Sequence, residues 1–187
     1  IVDIISDVNM AYSEHARRYL ADTGLPKERT FVTGSPMAEV LHANLDKIEA
    51  SDIHQRLGLT KGQYILLSAH REENIDTDRN FVQLFTAVNA MAEKYDMPIL
   101  YSCHPRSRKR LEATGFQLDT RVIAHEPLGF LDYNCLQMNA FAVVSDSGTL
   151  PEESSFFLSV GKPFPAVSIR TSTERPEALD AGCFVLA

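Results

Sequence analysis

Three cysteines in 187 residues, Cys103, Cys135 and Cys183, are too few, too scattered and odd in number for a disulfide framework or a zinc site. A reducing cytosol is the simplest setting for such a chain, and a cytoplasmic protein is expected. No apolar run approaches the roughly 20 residues needed to cross a bilayer, and no secretory leader is visible, so no membrane partner is expected. Basic residues are outnumbered, 18 Lys and Arg against 25 Asp and Glu. The net charge of −7 argues against broad neutralisation of nucleic-acid phosphates, so nucleic acid is not an expected partner, although a local cationic pocket stays open. Internal repeats and low-complexity segments are missing as well. So is an initiator Met, and the last residues form the apolar run FVLA, which reads as an excerpt of a longer protein. What is present is ordinary globular composition, 44% hydrophobic with 9 Gly and 9 Pro, and enough length for one full domain with a piece of another.

Along the chain, short apolar runs alternate with helical patterns. A strand near residues 7–12 leads into a helix that opens at Ser13 and closes at Gly24, and a strand at 31–33 leads through a glycine turn into a helix from Pro36. A short helix closed at Gly58 follows. Beyond it come YILLSA, a helix over 81–95, PILYSC, a helix over 106–113, RVIAHE, a helix over 131–138, FAVVSD, a helix over 150–158, and AVSI. Strands of four to six apolar residues separated by helices imply parallel pairing, because a parallel crossover needs a helix's length of chain. The expected fold is an α/β, Rossmann-like domain with a parallel sheet over about residues 62–182.

Ligands of such sheets gather where strands run into the loops at their carboxyl ends. Those loops here carry HREEN, HPRSRKR, PLGFLDY, SGTLPEE and RTSTERPEA. His70 directly follows an apolar strand and precedes Arg71, which suits a ligand-facing pair or a buried, satisfied histidine. Ser147 and Gly148 offer a hydroxyl and backbone N–H groups to an anion, or Asp146 and Ser147 simply cap the next helix. Glu152 and Glu153 suit ribose hydroxyls, or serve as first-turn charges on the helix dipole. Arg170 and Arg175 bracket a hydroxyl-rich loop in a way that suits a diphosphate, the alternative being solvated surface arginines. His104 stands at a strand end, while Arg108 to Arg110 read as a solvated helix face. The five loops together compose a phosphate site with a neighbouring base-binding patch.

AHREENID, HPRSRKRL, EPLGFLDY, VVSDSGTLPEES and IRTSTERPEALDAG, taken together, resemble the non-hydrolysing UDP-N-acetylglucosamine 2-epimerase family, and FVTGSPMAEVL is similar to the segment joining that family's two domains. The resemblance implies the second domain of a two-Rossmann-domain, glycosyltransferase-B-like fold. Residues 1–45 would be the end of the first domain with the connection, and residues 46–187 the UDP-binding domain. It implies UDP and a UDP-N-acetylhexosamine as ligands, neither metal nor redox cofactor, a homodimer for the intact protein, and a role in capsule or other polysaccharide biosynthesis. By the same resemblance His70 matches an active-site histidine near the diphosphate, and Ser147 and Gly148 match phosphate ligands. Glu153 matches the ribose carboxylate, Tyr133 an aromatic beside the uracil, and Arg175, with Arg170, a diphosphate ligand. His104 matches a histidine of a regulatory sugar-nucleotide site. Two departures bear on the substrate: HREEN puts Glu72 where the family often has arginine, and SSFFLSVGKPFPAVSIR is several residues longer than usual between the glutamates and Arg170. FPAVSIRTS is similar to the branch that forms UDP-N-acetyl-L-fucosamine. A glycosyltransferase or a non-catalytic UDP-binding domain of the same fold would share much of this rim.

Overall fold

The structure is a computed structural model that describes residues 1–75 and 77–187, excluding the side chains of Glu72 and Glu73. Residues 1–43 and 44–187 form two compact units. In the first, helix α1 (Val2–Ile5) precedes strand β1 (Asn9–Ala11), helix α2 (Glu14–Asp22), a single 3-10 turn (Lys27–Arg29) and strand β2 (Thr30–Val32). β1 and β2 pair in parallel, with Asn9 opposite Thr30. The helix between them starts where the sequence predicts: the Ser13 hydroxyl accepts the Ala16 N–H, filling one of the orphan donors of a helix start. Helix α3 (Met37–Glu49) then runs from the first unit into the second.

The second unit continues with α4 (Ile53–Leu57), β3 (Ile65–Ser68), α5 (Glu72–Ile75), α6 (Asp78–Tyr95), β4 (Ile99–Ser102), α7 (Pro105–Thr114) and β5 (Val122–His125). It ends with α8 (Phe130–Met138), β6 (Ala142–Ser145), α9 (Leu150–Ser159), β7 (Ala166–Ser168), α10 (Pro176–Asp180) and β8 (Val185–Leu186). Gly58 and Gly115 end α4 and α7 at φ of 63° and 64°, the left-handed geometry that a β-carbon disfavours.

Six strands make one sheet in the order β5-β4-β3-β6-β7-β8, every pair parallel. All four residues of β3, and three of the four in β4 and in β6, are buried, which is why they read as unbroken apolar runs and not as alternating ones. On one face α6 lays down Phe81, Phe85, Val88 and Ala92 at helical spacing. Phe85 centres an aromatic cluster, with ring centroids 4.7 Å from Phe81, 5.3 Å from Tyr101 and 6.2 Å from Phe116. The sheet extends past the expected residue 182 to Leu186, because the FVLA run supplies the edge strand β8. α6 also starts three residues earlier than expected, because the Thr77 hydroxyl caps it by accepting the Asn80 N–H.

The order places β3, first in this sheet by sequence, at its centre. From β3 the chain winds out through β4 to β5, then returns to β6 on the other side. β3 and β6 therefore flank a topological switch point, and the loops leaving their carboxyl ends diverge to open a crevice.

Candidate functional site

That crevice is a cavity of about 280 Å³ lined by Ser68, His70, Ser102, His104, Pro127, Tyr133, Ser147, Thr149 and Glu153. Five residues singled out in the sequence, His70, His104, Tyr133, Ser147 and Glu153, thus meet around one space although they come from the segments that follow four different strands. Gly148 follows Ser147, Arg170 lies next to Gly148, and Arg175 pairs with Glu152, the neighbour of Glu153.

Asp146 governs the geometry. It is wholly buried, and its Oδ2 accepts three hydrogen bonds: from the backbone N–H of His70 at 2.9 Å, from that of Arg71 at 2.8 Å, and from Asn74 Nδ2 at 3.0 Å. Asn74 Nδ2 also donates to the Ile169 carbonyl at 3.1 Å, and Arg71 Nε to the Asp146 carbonyl at 2.8 Å. The loops after β3, β6 and β7 are fastened to one another through these bonds. The expectation that Asp146 caps the following helix is therefore corrected. The N-cap of α9 is Thr149, with no side-chain cap bond, and the Asp146 carboxylate turns back to the β3 loop, where it accepts from the N–H groups of His70 and Arg71.

Ser147 lies in a directed chain of hydroxyls. Thr149 Oγ1 donates to Glu153 Oε1 at 2.9 Å, so the Ser147 hydroxyl, 2.9 Å from Thr149 Oγ1, donates to it in turn. Burial pushes the Glu153 carboxyl above its ordinary range. Burial also raises the Tyr133 phenol, and the neighbouring Glu153 carboxylate adds to that rise. Glu152, one residue earlier on α9, has a different role: its Oε1 accepts from Arg175 Nε at 2.9 Å.

A β-carbon added at Gly148 would sit 3.5 Å from Arg71 Nη2 and 3.9 Å from Arg170 Nη1. The turn thus opens toward two guanidinium groups. Arg170 is buried and forms a bidentate pair with Glu174 at 2.6 and 2.7 Å, which holds the Glu174 carboxyl down to about 2. The alternative of solvated surface arginines is corrected for Arg170: its guanidinium is packed inside and ion-paired. A similar correction applies to Arg110, which pairs with Asp78 at 2.7 Å and lies over the Phe81 ring. His104 caps α7, its Nδ1 accepting the Arg106 N–H at 3.3 Å. Glu72, which stands where the resemblance has arginine, lies with its side chain outside the described residues.

The sequence reading missed Asp146 as a site residue, and Thr149 and Asn74 altogether. The available signal for Asp146 was its position at the end of a buried strand beside the switch point, where a carboxylate needs partners from neighbouring loops. No group of three His, Cys, Asp or Glu side chains among the described residues is disposed to hold a metal ion, and among them no helix is long and apolar enough to cross a membrane.

The model of the UDP-N-acetylglucosamine 2-epimerase family matches residues 1–187. The chain belongs to that family. A UDP-N-acetylglucosamine 2-epimerase of Methanococcus maripaludis is 31% identical over 194 aligned positions, covering all of this chain and 52% of the relative. Among solved structures, a UDP-N-acetylglucosamine 2-epimerase from Rickettsia bellii is 43% identical with a TM-score of 0.84, over 98% of this chain and 47% of that one. A Methanocaldococcus jannaschii UDP-GlcNAc 2-epimerase in complex with UDP-GlcNAc and UDP gives a TM-score of 0.88 at 28% identity, over 99% of this chain and 51% of that one. The chain spans about half the length of the relatives it matches, and its parallel α/β sheet is the fold they share over that half.

Proposed function

We propose that the chain is the nucleotide-binding part of a UDP-N-acetylglucosamine 2-epimerase, which interconverts UDP-GlcNAc and UDP-ManNAc by eliminating and re-adding UDP. One observation carries the reading. The cavity at the β3–β6 switch point sets a buried carboxylate, an aromatic phenol and a histidine beside a glycine turn that opens toward two arginines. Those are the groups a uridine diphosphate calls for. Glu153 accepts from the ribose hydroxyls, Tyr133 borders the uracil, and the turn at Ser147 and Gly148 takes the phosphates. Arg170 and Arg175, pre-aimed by Glu174 and Glu152, add positive charge on the diphosphate side. His70 stands at the diphosphate, and His104 borders the same cavity as part of a regulatory sugar-nucleotide subsite.

In the reaction a base removes the proton from carbon 2 as the bond from carbon 1 to UDP breaks. The glycal so formed is held while a proton returns on the opposite face and UDP adds back. Departure of UDP places negative charge on its terminal phosphate, and donors already in position there lower the barrier. This chemistry would serve cell-surface polysaccharide synthesis in the cytoplasm, by a homodimer. A second reading, favoured by FPAVSIRTS, keeps the mechanism and takes a 6-deoxy-L-talosamine derivative of UDP, giving UDP-N-acetyl-L-fucosamine.

The test follows the anomeric protons by NMR when the intact protein is given each UDP-sugar without an acceptor. Epimer formation is expected from one of them, and His70→Asn should slow it by about two orders of magnitude or more per folded molecule. Transfer to an added acceptor, with no epimer, would make the protein a glycosyltransferase instead.

A further inference from the structure

We infer that Asp146 is a positioning residue that sets the tautomer of His70, holding the ring proton on Nδ1 and leaving Nε2 as the nitrogen with a free lone pair. The starting point is the division of labour between the two oxygens of one buried carboxylate. Oδ2 is saturated by the N–H groups of His70 and Arg71 and by Asn74. Oδ1, equally shut off from water, has no hydrogen-bond partner among the described residues, but lies 3.2 Å from His70 Nδ1. A buried carboxylate oxygen without a donor is costly, and a proton on Nδ1, 3.2 Å away, relieves it.

The same carboxylate thus grips His70 twice, by its main chain and by its ring. The rest of the side chain is half exposed, at 50%, and His70 lines the cavity. With the proton held on Nδ1, Nε2 takes up a proton without any reorientation of the ring, and the imidazolium so formed rests against the Asp146 carboxylate. A neutral ring in the other tautomer would turn a lone pair on the buried carboxylate instead. The inference rests on the proposed function only for what His70 serves; the tautomer itself is a property of the chain.

An amide at position 146 makes a sharp probe. Three donors face the Oδ2 position, so the carbonyl oxygen of Asp146→Asn has to take that place. Its NH2 then falls where Oδ1 is now. An NH2 only donates, so Nδ1 must become the acceptor and the ring proton moves to Nε2. Ser68 Oγ, 3.5 Å from Nδ1, is the rival orienting group.

The experiment is long-range 1H–15N correlation on the intact protein with 15N-labelled histidine in alkaline buffer, His70 being assigned by the loss of its signals in His70→Gln. Expected are a protonated Nδ1 in the wild type, reversal to a protonated Nε2 in Asp146→Asn, and no change in Ser68→Ala. The inference is overturned if half or more of the wild-type rings carry the proton on Nε2. It is overturned too if a folded Asp146→Asn keeps the wild-type tautomer, or if Ser68→Ala reverses it. Should Asp146→Asn not fold, the wild-type spectrum decides by itself. Because no substrate is added, failure here leaves the epimerase reading standing, and failure of epimerisation leaves this result standing.

Discussion

Replacing Glu153 by glutamine should move ligand affinity and stability in opposite directions. Glu153 is 7% exposed, receives a hydrogen bond from Thr149 and lines the cavity. Burial raises its carboxyl, so ionising it opposes folding. For an acid whose folded value is raised, the stabilising contribution is complete below the unfolded value and is lost as pH rises through the folded one. Glutamine keeps an oxygen for Thr149 and removes the charge, so Glu153→Gln should be as stable as the parent or more so once the parent's carboxyl is ionised, and should lack that loss. Affinity should fall. If both ribose hydroxyls donate to the carboxylate, losing a charged acceptor costs about 1.5–3 kcal/mol, or roughly a tenfold to 150-fold weaker Kd for UDP. The pH dependence has a sign as well. The parent binds UDP more tightly as pH rises through the raised carboxyl value, because only the ionised form accepts from both hydroxyls, and the variant lacks this step. Calorimetric titration of the intact protein with UDP over a pH series, beside thermal melts, reads both quantities. Equal UDP affinities for parent and variant at every pH would refute the assignment of Glu153 to the ribose.

Glu174→Gln should flatten the acid limb of the stability curve. The Glu174 carboxyl is held down to about 2 by Arg170, so its contribution is present above the ordinary value of 4.5 and is lost as pH falls toward 2. Its side chain is 60% exposed, so screening limits the effect to about 1 kcal/mol or less at neutral pH; identical acid-denaturation curves for parent and variant would contradict it. Phe85→Ala should cost about 3–5 kcal/mol in denaturant melts, because the ring is fully buried among Phe81, Tyr101 and Phe116. A loss under about 1 kcal/mol would mean that this cluster does not anchor α6 to the sheet.

The strands of the second unit were legible because a parallel strand covered on both faces has no polar face to show, and ILLS, ILYS and AVVS say as much. Once the strands are found, the loops at their carboxyl ends follow, and with them His70, His104 and Ser147. The inward turn of Asp146 was not legible. A D-S-G stretch before a helix matches the pattern of a cap, and nothing local distinguishes a carboxylate that stays from one that leaves. The choice is made by the pairing of β3 with β6, which sets Ser68 opposite Ser145 and so brings the N–H groups of His70 and Arg71 within reach of the residue that follows β6. Register is a tertiary fact, and it overrode the local cap signal. The α5 turn escaped for a different reason: it is too short to show a period.

Glu152 and Glu153 show how the same fold gives neighbouring, identical residues different chemistry. Consecutive side chains on a helix point about 100° apart, so no orientation of α9 could send both carboxylates into the cavity. One of them meets Arg175, and through that pair the loop after β7 is tied to the helix that leaves β6. The other faces the cavity with Thr149 as its donor and a raised carboxyl. The Glu152 charge is offset by the Arg175 guanidinium, and Glu153 accepts from the Thr149 hydroxyl. The buried Asp146 carboxylate is already surrounded by three donors on one oxygen. The side of the crevice proposed for the phosphates is therefore left to N–H groups and guanidinium groups, although acidic residues outnumber basic ones along the chain.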